Sequence, residues 1–125
     1  MKSNTVRIGG GNWRSRLIKF SYSTGLRPTP DRVRQTLFNW LGQDLTGKTC
    51  LDLFAGTAVL GFEALSRNAK HVVIVEKTSA VHQMILQNQA ALKAECAQIY
   101  NADALDFLTS NTQQFDVIFL DPPYN

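Results

Sequence analysis

Four short apolar runs, separated by segments of helical periodicity, constrain this chain more than anything else in it. TCLDLF (49–54), HVVIVE (71–76), AQIY (97–100) and FDVIFL (115–120) each have the length of a buried strand. Between them Leu60, Ala64 and Leu65, then Val81, Met84, Ile85, Asn88 and Leu92, then Leu105 and Leu108, recur at spacings that fit helices. Strands joined by helices pair in parallel, because each crossover returns the chain in the same sense. The expected architecture is α/β, a doubly wound parallel sheet over residues 27–125. An open sheet of this kind normally runs on past its switch point. A chain that stops after FDVIFL and DPPYN therefore reads as part of a longer protein, with its C-terminal strands missing.

Residues 1–26 read differently. Thr5 to Ile8, three glycines, and Trp13 to Phe20 suggest a β-hairpin about a glycine turn, followed by a loop rich in Ser and Pro. Thr29 is expected to cap a helix with Pro30 at its first position. Val33, Leu37, Trp40 and Leu41 recur at helical spacing along it, and Gly42 would end it. Charge divides along the same line. Residues 1–48 hold nine Lys/Arg against two Asp/Glu, a balance of +7, while residues 49–125 hold four against eight, a balance of −4. A basic arm on an acidic body suits a polyanion at one end and an acid-lined pocket at the other. Trp13, Phe20 and Tyr22 interleave with the arginines, which favours a nucleic acid.

At 125 residues and 44% hydrophobic content, the chain supports one core. No apolar run approaches the ~20 residues of a membrane span, and the first residues lack the apolar stretch of a secretory signal. Cys50 and Cys96 are far apart and lack CxxC partners, which reads as reduced thiols in the cytoplasm, with no metal site.

Where the first strand turns into a helix the spacing is Gly56-x-Ala58-x-x-Gly61, a glycine turn whose second glycine is replaced. Glu76 ends the second strand twenty positions after Gly56, where a carboxylate can accept from ribose hydroxyls. A nicotinamide cofactor would use the same geometry. Asp103 can accept from an adenine amino group or cap the helix that follows it. Asp52 can hold the glycine loop or meet a cationic ammonium.

DPPY, from Asp121 to Tyr124, is the most specific signal. An exocyclic base amine is a poor nucleophile, because its lone pair is delocalised into the ring. Two acceptors on its N–H groups favour a pyramidal nitrogen. The Asp121 side chain can supply one and the Pro122 carbonyl the other. Pro122 and Pro123 lack N–H donors and fix φ, so the loop is stiff and presents acceptors only. Tyr124 offers a face on which an extruded base can stack.

Together LRPTPDRVRQTLFNWL, LDLFAGTAVLGFEALSRNA, VVIVEK and DPPY resemble the bacterial RsmD family of 16S ribosomal RNA guanine-N2 methyltransferases, over about Val6 to Tyr124. The resemblance implies a Rossmann-like class I methyltransferase fold and S-adenosylmethionine as cofactor. It implies a partner in 16S ribosomal RNA, free or in the small ribosomal subunit or its assembly intermediate, and a monomer. By the same resemblance Asp121, Pro122, Pro123 and Tyr124 form the catalytic loop. Gly56 and Gly61 form the cofactor loop, Glu76 is the ribose acid and Asp103 the acid near adenine. Arg27, Pro28 and Thr29 lie against the methionine end. Arg14, Arg16, Arg32 and Arg34 form the basic surface that meets RNA phosphates. Family members usually read Gly-Ser-Gly where this chain has Gly56-Thr57-Ala58. The methyl of Ala58 is tolerated if φ there stays negative, and otherwise weakens cofactor binding. Two further readings stay open: a DNA amino-methyltransferase sharing the DPPY chemistry, and a non-catalytic RNA-binding fragment. A dehydrogenase would explain Glu76 but not DPPY.

Overall fold

The computed structural model describes residues 4–21 and 26–122. Strands β1 (Thr5–Arg7) and β2 (Leu17–Lys19) pair antiparallel, with Val6 opposite Ile18, around a single 3-10 turn at Gly11–Trp13. Helix α1 (Asp31–Leu41) follows. Then come β3 (Thr49–Asp52), α2 (Val59–Ser66), β4 (His71–Glu76), α3 (Ser79–Leu92), β5 (Ala97–Asn101), α4 (Ala104–Ser110) and β6 (Val117–Phe119). The last four strands form one parallel sheet in the order β5-β4-β3-β6. The chain walks outward from β3 to β5, then returns to the far side of β3. That reversal leaves a crevice at the carboxyl ends of β3 and β6, the place where ligands meet sheets of this topology.

Side-chain alternation divides the core in two. Cys50, Val72, Ile74 and Phe119 face α2, α3 and the hairpin, while Leu51, Leu53, Val73 and Val75 face Ala104, Phe107 and Phe115. Val72 to Val75 are buried on both faces, as a central parallel strand requires. Asp116 fixes the start of β6: its backbone N donates to Thr49 O and its carboxylate accepts from Thr49 N, both at 2.8 Å.

The hairpin is fastened to the domain by polar contacts. The Ser66 hydroxyl donates to Gly10 O at 2.6 Å and accepts from Trp13 N at 2.8 Å. A side chain at Gly11 would place its Cβ 2.0 Å from Ser66 O, at a φ of +76°, so only glycine fits there. On the other side, Asn88 of α3 accepts from Lys19 N at 3.0 Å and donates to Lys19 O at 2.8 Å. One carboxamide thus pairs with β2 as a neighbouring strand would.

Several expectations change. Helix α1 buries Arg34 and Phe38, while Val33, Trp40 and Leu41 stand 49%, 83% and 37% exposed. Its inner face is set by an ion pair that apolar periodicity cannot register. Thr29 does not cap α1: Pro30 occupies the cap position without a side-chain bond, and the Thr29 hydroxyl goes elsewhere. Phe20 is buried and Trp13 packs on the core, so neither is a free stacking surface; Tyr22 lies outside the described residues. On α4, Leu105 and Leu108 face outward while Ala104 and Phe107 pack inward.

Candidate functional site

Four carboxylates gather at the carboxyl ends of the parallel strands: Asp52 at the end of β3, Glu76 at the end of β4, Asp103 just past β5 and Asp121 just past β6. The sheet places them there because each ends or closely follows an apolar run. Among the described residues no group of three or more His, Cys, Asp or Glu could hold a metal ion.

Glu76 organises the glycine turn. One of its oxygens accepts from Gly56 N and the other from Thr78 N, both at 2.9 Å. Each oxygen keeps a further lone pair for a ligand hydroxyl. Gly56 has φ +56°, and a Cβ there would touch only Leu26, so its backbone lies open. Gly61 acts differently. It is buried, and a Cβ would stand 3.2 Å from Ile74, so it lets α2 close on the sheet. Its N–H donates to Asp52 Oδ2 at 3.0 Å. The loop-holding alternative for Asp52 is therefore realised. Asp103 caps α4 by accepting from Leu105 N and Asp106 N, while its second oxygen carries no bond in that cap.

Burial pushes the Asp52 carboxyl up to about 7 from an ordinary 3.8; the Gly61 N–H favours the anion, and nearby Asp121 and Glu76 oppose it. The folded chain thus holds a proton that the unfolded chain releases between those two values. Stability from this group is full below the unfolded value and is lost as pH rises through the folded one. Asp52→Asn retains an acceptor for Gly61. It should match or fall below wild type at pH 5, yet exceed it by about 1–3 kcal/mol at pH 8. Urea midpoints at the two pH values check this, and a variant that loses ground toward pH 8 would refute it.

Ala58 has φ +64°, in the left-handed region, so the condition of a negative φ is not met. A left-handed non-glycine residue costs about 1–2 kcal/mol. Burying one methyl group returns about 0.8 kcal/mol. Strain wins, and Ala58→Gly should stabilise the fold by about 0.5–1 kcal/mol. A thermal midpoint that does not rise would show the turn relaxed by other means.

At the tip of β6 the Thr29 hydroxyl donates to Asp121 Oδ2 at 3.0 Å. This contact brings the Arg27-Pro28-Thr29 segment onto the loop that opens DPPY. Pro122 follows, exposed; Pro123 and Tyr124 lie outside the described residues. Arg27 is exposed beside this segment.

Of the four arginines expected on a basic surface, Arg14 and Arg32 are exposed, and Arg16, also exposed, donates to Ala91 O at 3.1 Å. Arg34 is a correction. It is only 3% exposed and bonds Glu63, Arg7 O, Asp31 and Thr29 O, so it has no face for a phosphate. Its partner Glu63, 1% exposed, also accepts from Arg67 Nη1 at 2.6 Å and from Gly9 N at 2.9 Å. Arg67 in turn lies 4.1 Å over the Phe38 ring. Sequence reasoning missed Glu63 and Arg67. The available signal was an acid in an otherwise apolar helix with a base four positions on, at its C-cap.

A cavity of roughly 160 Å³ opens between β2, the glycine turn and α3, lined by Phe20, Leu26, Val81, Met84 and Ile85. Gly56 and Thr57 of the glycine turn also line it.

The family model described as "Conserved hypothetical protein 95" matches residues 6–125. The chain is 46% identical over 122 residues to the ribosomal RNA small subunit methyltransferase D of Escherichia coli K12, covering 98% of this chain and 62% of that protein. It is 48% identical to the protein of the same name from Haemophilus influenzae, covering 96% and 64%. The solved structure of yhhF from Escherichia coli superposes with a TM-score of 0.86 at 42% identity, over 96% of this chain and 65% of that one. The chain therefore spans less than two thirds of the length of these relatives.

Proposed function

Since the chain belongs to this family, the RsmD family of ribosomal RNA small subunit methyltransferases, we propose that it carries most of an S-adenosylmethionine-dependent enzyme that methylates the exocyclic N2 of a guanine in bacterial 16S ribosomal RNA. The observation that carries this reading is the convergence of Asp52, Glu76 and Asp121 at the switch point, with Asp121 held at the tip of β6.

The residues suit the cofactor. A cationic ligand bearing vicinal hydroxyls fits a crevice lined by carboxylates, and Glu76 keeps acceptor capacity beside an open glycine backbone. Glu76 would hold the ribose, Asp103 the adenine amine through its second oxygen, and Arg27 the methionine end. Bound there, S-adenosylmethionine supplies a methyl group on a strongly electrophilic sulfonium. Asp121 would accept one N–H of the guanine amine and the Pro122 carbonyl the other, directing the nitrogen lone pair at the donor. Positioning then carries much of the rate, and the proton leaves late, to Asp121 or to water. Pro123 and Tyr124 would stiffen the loop and stack the base. Exposed Arg14, Arg16 and Arg32 would meet phosphates, giving affinity that falls with salt.

Calorimetry with S-adenosylmethionine is the first test, and binding is expected. Labelled methyl transfer should then be compared on small-subunit particles, naked 16S RNA and DNA. N2-methylguanosine in digested RNA is the expected product. Transfer to DNA alone would select the DNA amino-methyltransferase. No heat and no thermal shift would leave an RNA-binding module.

A further inference from the structure

We infer that Thr29 and Arg34 are positioning residues for Asp121: Arg34 holds the backbone of Thr29, and the Thr29 hydroxyl orients the Asp121 carboxylate. The inference deepens the reading above and rests on it only for what the oriented carboxylate then does.

The geometry is a short chain of contacts. Arg34 Nη1 donates to Thr29 O, and Thr29 Oγ1 donates to Asp121 Oδ2 at 3.0 Å. The guanidinium is fixed from its other side, with Nε on Glu63 Oε2 at 3.0 Å and Nη2 on Arg7 O at 2.8 Å. Glu63 is pinned by Gly9 N and Arg67. A planar, buried fork with three anchored arms has little freedom, so the Thr29 carbonyl sits where the core puts it.

Among the described residues, the bond from Thr29 is the one side-chain hydrogen bond that Asp121 accepts. Asp121 stands exposed two residues past β6. A carboxylate there would rotate freely about both of its side-chain torsions. One hydroxyl on Oδ2 removes that freedom and leaves Oδ1 to accept an N–H. This assigns Thr29 a task different from contact with the cofactor, and explains what an arginine does inside α1. The family resemblance put Arg34 on the surface that meets RNA; in the structure it is buried, with Nη1 on Thr29 O.

Thr29→Val, Thr29→Ser and Arg34→Lys separate the possibilities, read by the carbon NMR resonance of the Asp121 carboxylate and by steady-state kinetics. Thr29→Val should shift that resonance, and Thr29→Ser should leave it at the wild-type position. Arg34→Lys should shift it too, although Arg34 does not touch Asp121. In transfer assays Thr29→Val should lower kcat by about 10- to 100-fold while KM for S-adenosylmethionine moves little. An Asp121 resonance unchanged in Thr29→Val overturns the inference. So does a raised cofactor KM at constant kcat, which would return Thr29 to the methionine end. If the wild-type chain transfers no methyl group, the functional reading fails, and the resonance alone still decides whether Thr29 orients Asp121. If Arg34→Lys does not fold, Thr29→Val and Thr29→Ser decide.

Discussion

Glu63→Leu should destabilise the fold by about 3–5 kcal/mol, the cost of removing one partner from a buried ion pair. Glu63 is 1% exposed and neutralises Arg34 and Arg67, 3% and 4% exposed, while accepting the N–H of Gly9. Leucine would leave Arg67 buried without its counter-charge, Arg34 with only the exposed Asp31 at 3.3 Å, and one backbone donor unmet. Against a total stability of roughly 5–15 kcal/mol, such a loss would leave much of the chain unfolded at 37 °C. Urea unfolding followed by circular dichroism measures it. The double replacement Glu63→Leu with Arg34→Leu should recover part of the loss, because the stranded charge goes with its partner. A single-variant cost below about 1 kcal/mol would mean that water reaches this cluster after all.

The second large effect concerns the reaction. Asp121→Asn should lower methyl transfer by about 10²- to 10⁴-fold and leave S-adenosylmethionine affinity within about threefold. Asparagine keeps one side-chain oxygen, and Thr29 already donates to that position. The amide nitrogen would then point a donor at the guanine amine, itself a donor. The variant should fold as well as wild type, since Asp121 is exposed. Turnover in a ribosomal RNA assay, with calorimetry alongside, separates the two quantities. Retained turnover would remove Asp121 from the chemistry.

How much of this was legible beforehand follows from what kind of force acts at each place. The parallel sheet was legible because β4 is buried on both faces and its Val-Val-Ile-Val run can hardly do anything else. The places of Glu76 and Asp121 were legible because strand ends and topology determine them together. The inner face of α1 was not. Of the residues at helical spacing only Leu37 packs on the core, while Val33, Trp40 and Leu41 are exposed; Glu63, 29 positions away in sequence, draws Arg34 inward, and Phe38 follows one turn on. Arg34 was misplaced on the RNA surface for the same reason: a buried charge is defined by a partner remote in sequence. Ala58 sits in a left-handed turn, and composition carries no sign of φ.

The bond pair between Asn88 and Lys19 has a mechanical meaning. It makes the outrigger bearing Arg14 and Arg16 move with α3 rather than sway on a tether. Charges on a stiff mount pay little ordering entropy when a polyanion arrives, so each arginine can lend more of its attraction to the encounter. Deuterium uptake along Leu17–Lys19 should accordingly track that of the third helix, opening and closing as one unit with it.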